Sequence, residues 1–254
     1  MRTILKNLIL VFTCLLMFLP FIPPLGNFFF PFVAPKGFFF LFLSEIIIFL
    51  FFLSLAFGEK VEFKISPLFL AVFLYLFILT LSCLLGPDPS RSFWSKPERM
   101  SGLLVHFHLF LFFLVVSLVF KIEDFEKIFG VVALVAIFVT FSFFAHKTEE
   151  MYRGGGFLGN SSFFGTYLLF CFFLCLWLLK ERKNEFLKWV AAFALFWVVL
   201  GLFFSDARAA KVSVVFGLFL ILCFYFLFAQ KNKALKILTA SLLAFSFLAG
   251  LFLF

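Results

Sequence analysis

The sequence predicts an all-α fold: a polytopic integral membrane helical bundle of about nine transmembrane helices, one transmembrane domain over residues 1–254. Three observations carry that reading. Hydrophobic residues make up 65% of the chain and charged residues 13%, with a mean hydropathy of +1.20, a surface that water cannot solvate in a folded domain. The apolar residues fall in successive runs that reach the roughly 17–25 residues needed to cross a bilayer. Short polar segments punctuate them, and no soluble domain, linker or long-period repeat intervenes.

The runs follow in order. Span one is about residues 7–22, after Arg2 and Lys6; its basic start resembles a signal peptide, but Pro20, Pro23 and Pro24 follow and no small-residue cleavage site does. Residues 23–36 are an apolar, proline-broken loop. Spans two and three are about 37–57 and 65–85, joined by a short charged turn. The longest polar segment, GPDPSRSFWSKPERMSG, fills 86–102. Span four is about 103–120, and span five about 128–145. The glycine-dense segment 146–162 then leads into span six, about 163–179. Span seven is 189–204, a tight polar connection occupies 205–211, span eight covers about 212–229, and span nine begins near Ile237. The 51 phenylalanines read as lipid-facing bulk. The five cysteines all lie inside apolar runs as small buried hydrophobes, with no disulfide framework or metal-ligand spacing. No cofactor is expected.

Orientation follows from the basic residues. With the N-terminus cytoplasmic, 13 Lys and Arg face inward and 8 outward, a positive-inside bias. The loops 23–36, 86–102, 146–162 and 205–211 then lie on the outer face. Eleven of the 13 inner cations are Lys, whereas four of the six Arg (Arg91, Arg99, Arg153, Arg208) lie outside. Arginines placed against the topogenic trend suit bidentate recognition of phosphate or carboxylate. The net charge of +8 is not a nucleic-acid signal, because it is spread over these short loops.

The segment MYRGGGFLGNSS at 151–162 is the most distinctive. Three glycines tolerate positive φ and expose backbone N–H groups, and Asn160 or Ser161 can cap the next helix. Arg153, bare amides and a helix N-terminus describe an anion site; a connecting loop with a helix cap is the alternative reading of the same residues. Spans four, six and eight all run inward, so the positive ends of their dipoles meet at the outer face. Arg99, Arg153 and Arg208 precede or open them, and Ser101, Asn160 or Ser161, and Ser205 or Asp206 stand at capping positions. Headgroup contact is the alternative role for each arginine. Among the other polar residues, Glu45 lies inside span two, a functional position by default or a group near the interface. His106 and His108 stand in the first turns of span four without forming a paired site. Trp94 reads as an interfacial anchor, and Glu149 and Glu150 would oppose an anion site if close to it.

These residues resemble a known family. Arg153-x-x-Gly156-x-x-Gly159-Asn160 is similar to the Arg-x-x-Gly-x-x-Gly-Asn-Pro-Asn element of the O-antigen ligase and O-antigen polymerase family. Ser92-Phe93-Trp94-Ser95 with Glu98 to Leu103 resembles the segment that family places before a central span. Ser205-Asp206-Ala207-Arg208-Ala209-Ala210 resembles its Ser-Arg-Gly-Ala turn. The resemblance implies a GT-C-like, metal-independent membrane glycosyltransferase at the outer face of the bacterial inner membrane. Such an enzyme takes a glycan from an undecaprenyl-diphosphate carrier and passes it to a lipid or glycan acceptor. On that analogy Arg208 holds the diphosphate, Arg153 and Arg99 support it, and Gly156, Gly159, Asn160 and Ser205 shape or cap the loops. Departures are Ser161-Ser162 where the family has Pro-Asn, and Ala209 where it has Gly. The family continues into a large outer loop that supplies another arginine and a histidine that activates the acceptor; this sequence stops at Phe254, in mid-span. An incomplete gene product, with no nameable catalytic base, is therefore the expectation. The competing class is a transporter or flippase for an anionic solute or lipid, in which Glu45 would be essential.

Overall fold

A computed structural model describes residues 2–26, 29–58, 65–96, 98–181 and 184–228. Its helices are α1 (Arg2–Leu16), α2 (Ala34–Ala56), α3 (Pro67–Leu85), the short α4 (Pro89–Trp94), α5 (Leu103–Val119), α6 (Ile122–Ala145), α7 (Ser161–Glu181), α8 (Glu185–Phe204) and α9 (Arg208–Phe228). Among the described residues there is no strand. Seven helical segments are long and apolar enough to cross a membrane: α1 with the turn that follows it, α2, α3, and α6 to α9. The chain is thus an all-α helical membrane protein. Helix α5, the expected fourth span, has 17 residues and sits at the short limit for crossing. The ninth expected span, near Ile237, lies outside the described residues.

The ends of these helices are set by local chemistry. Ser66 caps α3, accepting the Phe69 N–H, with Pro67 in the first turn where its missing donor costs nothing. Asn184 caps α8 through the N–H groups of Phe186 and Leu187. Several boundaries differ from the sequence reading: α1 starts at Arg2 rather than 7, α8 at Glu185 rather than 189, and α9 at Arg208 rather than 212, so the expected connection 205–211 is partly helix. Helix α2 starts at Ala34 rather than 37, because Pro35 sits in its first turn. Helix α6 starts at Ile122 rather than 128: Asp124 accepts the Lys121 N–H at 3.0 Å and pairs with Lys6 at 2.6 Å, so the charged turn becomes helix.

Two groups of helices build the bundle. Helices α6, α7 and α8 pack tightly, with α9 against α7, around Val135, Val139, Phe143, Phe164, Leu168, Val198 and Leu202. Phe143 and Phe164 stack at 4.5 Å. Close approach is possible because Gly201 faces Leu168, Thr140 and Phe164. The second group is α1, α2 and α5, with α3 on the far side of α5. The groups meet where α1 packs on α6 and where the turn Leu19–Phe21 touches both α6 and the glycine-rich loop. At one end of the bundle Lys6 and Asp124 tie α1 to α6. The opposite end carries the start of α2, the turn at Met100, the glycine-rich loop and the α8–α9 connection.

Candidate functional site

The glycine-rich loop is a folded element. His146 ends α6, and the chain then makes two 3-10 turns, Glu150–Tyr152 and Gly156–Leu158. Arg153, Gly154, Gly156 and Gly159 all adopt positive φ, at 44°, 63°, 51° and 68°. Only glycine adopts these values cheaply, so Arg153 is the strained member. Gly156 is seated on α6, where a Cβ would lie 2.7 Å from the Phe143 nitrogen and 2.8 Å from Ser142 Oγ. Gly159 leaves room for the ring of Phe32, and Gly155 for the backbone of Asn160.

The expectation of bare amides needs correction. The N–H groups of Tyr152, Arg153, Gly155, Leu158 and Gly159 donate to carbonyls within the loop, and that of Phe157 donates to Ser142 Oγ at 3.3 Å. Gly155 and Gly156 are buried, and Gly154 is the member of the triplet nearest the surface. The glycines serve tight turning and seating on α6 more than ligand binding.

Caps were partly legible. Asn160 caps α7, its Oδ1 accepting the Ser162 N–H at 2.8 Å. Ser205 is buried and its hydroxyl donates back to the Leu202 carbonyl at 2.9 Å, so it closes α8 rather than capping α9. The N-cap of α5 is Gly102, not Ser101.

Two of the three arginine-bearing segments come together. Gly165 in the first turns of α7 lies against Ala207 and Ala210, small residues that let the starts of α7 and α9 touch. A Cβ on Gly154 would lie 3.6 Å from Asp206 Oδ2. The loop that carries Arg153 and the connection that carries Arg208 are therefore neighbours. Both arginines are exposed, and among the described residues neither forms an ion pair. Arg208 does not pair with the Asp206 carboxylate; its N–H donates to the Asp206 carbonyl at 2.9 Å. Arg99 is also exposed but stands apart: α5 packs on α2, α3 and α4, and Met100 lies against Gly37 in the first turns of α2. Arg99 thus reaches the glycine-rich loop only by way of α2.

Several residues at this end carried no signal in the sequence reading. His146 Nδ1 lies 2.7 Å from Glu149 Oε1, and its ring stacks on Tyr152 at 4.2 Å and 11°. A carboxylate only accepts, so Nδ1 carries the proton and Nε2 is the basic nitrogen. The i, i+3 spacing of His146 and Glu149 was the available clue. Lys36 is buried and donates to the Phe157 carbonyl at 2.7 Å and the Phe32 carbonyl at 3.1 Å. Lys147 lies over the rings of Phe204 and Phe143, and Lys211 donates to the Phe203 carbonyl at the end of α8. Glu149 and Asp206, both marked in the sequence, lie on the same surface, so two carboxylates oppose an anion there.

The other polar groups lie elsewhere. His106 and His108 each donate Nδ1–H to the carbonyl four residues back, Gly102 and Leu104. His108 Nε2 is 3.6 Å from Glu45 Oε1, joining α5 to the middle of α2. Trp94 is exposed at the end of the short helix α4.

No family model, curated protein or solved structure matches this chain.

Proposed function

We propose that the chain is a membrane glycosyltransferase that acts on a glycan carried by undecaprenyl diphosphate, at the outer face of a bacterial inner membrane, with its N-terminus cytoplasmic. The observation that carries this reading is the contact between the Arg153 loop and the Arg208 connection at the paired starts of α7 and α9. Two unpaired guanidinium groups and two helix N-termini favour a diphosphate, most of all as it departs with added charge. Next to this point the face of α9 that carries Lys211, Val212, Val215, Phe216 and Phe219 is an open apolar surface, which suits an isoprenoid chain. Arg208 and Val212 are four residues apart, so headgroup and tail would follow one face of the helix.

In the reaction the acceptor hydroxyl oxygen attacks the anomeric carbon. The carbon–oxygen bond to the diphosphate breaks, and its electron pair leaves on the diphosphate. His146 Nε2, with its ring held by Glu149 and Tyr152, is the group at this end best arranged to take the hydroxyl proton. Glycan transfer in cells, compared at matched membrane levels of protein, tests the assignment. Arg208→Ala abolishes transfer and His146→Ala lowers it by about a hundredfold or more; transfer at the normal rate by Arg208→Ala refutes it.

A second reading has one observation of its own. Glu45 and His108 form a polar pair inside the helical region, as transporters of charged solutes often do. Solute movement that depends on Glu45, without glycan transfer, would favour it.

A further inference from the structure

We propose that Lys36 is a positioning residue: its ammonium clamps the glycine-rich loop onto the start of α2 and so holds Arg153 beside Arg208. The inference rests on the carrier-lipid reading given above. Lys36 is among the few buried charged side chains of the described residues, and its two bonds span distant parts of the chain, to Phe32 on one side and Phe157 on the other. It stands in the first turn of α2, where the helix dipole opposes a cation. Among the described residues no carboxylate pairs with it. A buried cation at a helix N-terminus without a counter-ion is a poor device for stability, and an apolar side chain of the same length would cost less. What the ammonium does that an apolar chain cannot is fix the Phe157 carbonyl.

On the α6 side Phe157 is held by its N–H bond to Ser142 Oγ at 3.3 Å; on the α2 side the loop's other contacts are rings. Phe32 touches Gly159 and Tyr152, and Phe157 packs on Phe21 and His146. These ring contacts are non-directional and set no register. A charge-assisted bond at 2.7 Å does. Since Arg153, Gly154 and Phe157 belong to one run of consecutive turns, freeing the Phe157 carbonyl frees the Gly154 edge that meets Asp206.

The test compares the full-length protein with Lys36→Met and Lys36→Arg. Limited trypsin digestion in native membranes reads the loop directly, because cleavage after Arg153 requires the turns to open. Cleavage at Arg153 rises about tenfold in Lys36→Met, the order expected for loss of a charged hydrogen bond. Cleavage at Arg91, on α4, does not change, and Lys36→Arg restores the slow rate at Arg153. Thermal stability of Lys36→Met stays within a few degrees of wild type, which separates positioning from a merely structural role. The kcat/KM for the lipid-linked donor falls about tenfold, with kcat lowered as well, because Arg153 acts on the departing diphosphate. Wild-type cleavage at Arg153 in Lys36→Met overturns the clamp, and faster cleavage with an unchanged donor kcat/KM overturns its role in placing Arg153. If the wild-type protein transfers no glycan, the carrier-lipid reading fails, while the cleavage rates still decide whether Lys36 holds the loop.

Discussion

Gly156→Ala probes the seating of the glycine-rich loop most sharply. Gly156 has φ of 51°, and an added Cβ would stand 2.7 Å from the Phe143 nitrogen, 2.8 Å from the Phe143 Cα and 2.8 Å from Ser142 Oγ. Two of those atoms are helix backbone and cannot swing away. The left-handed conformation costs an alanine about 1–2 kcal/mol, and forcing a methyl into a filled contact adds about 1–3 kcal/mol. Relief by lifting the loop sacrifices the Phe157 N–H bond to Ser142 Oγ. A net loss of about 2–5 kcal/mol follows, a fall in thermal midpoint of roughly 4–20 °C for a chain of this size. The assay is thermal unfolding of purified protein in detergent, with Gly26→Ala as control, since nothing lies within 4 Å of a Cβ at Gly26. Equal midpoints for the two variants would refute the seating of this loop on α6.

Two further predictions concern how the bundle is assembled. Gly165→Leu drives α7 and α9 apart, because a Cβ there already overlaps Ala207 and comes within 3.0 Å of the Ala210 Cβ; about 1–3 kcal/mol is lost in the same unfolding assay, and glycan transfer falls with it. At the other end, Asp124→Ala removes both the bond from the Lys121 N–H and the pair with Lys6 and costs about 2–3 kcal/mol. Lys6→Met added to Asp124→Ala costs little more, which a double-mutant cycle on thermal stability measures.

The helical architecture was legible because each apolar run satisfies its own backbone and is bounded by charges, prolines or glycines. The exceptions were boundaries where charges entered a helix, as at Asp124, whose partner Lys6 is far away in sequence. The candidate site was legible only in outline. Arg153, Arg208 and the cap at Asn160 could be marked because loop position and residue type suffice for them. Which helix starts are neighbours could not, since the contact depends on Gly165 meeting Ala207, and Arg99 was grouped with the other two although α5 packs on α2 and α3. The glycine triplet pointed to bare amides, while the loop spends most of its N–H groups on itself. Lys36 counted only as one more outer cation until its two carbonyl partners were in view.

Binding of undecaprenyl diphosphate to the purified protein decides whether the two arginines form a diphosphate site. Binding is saturable, Arg208→Ala weakens it by at least about tenfold, Arg153→Ala weakens it less, and Arg91→Ala, on α4, leaves it unchanged. Equal affinity in all four proteins, or no binding by any of them, would contradict such a site.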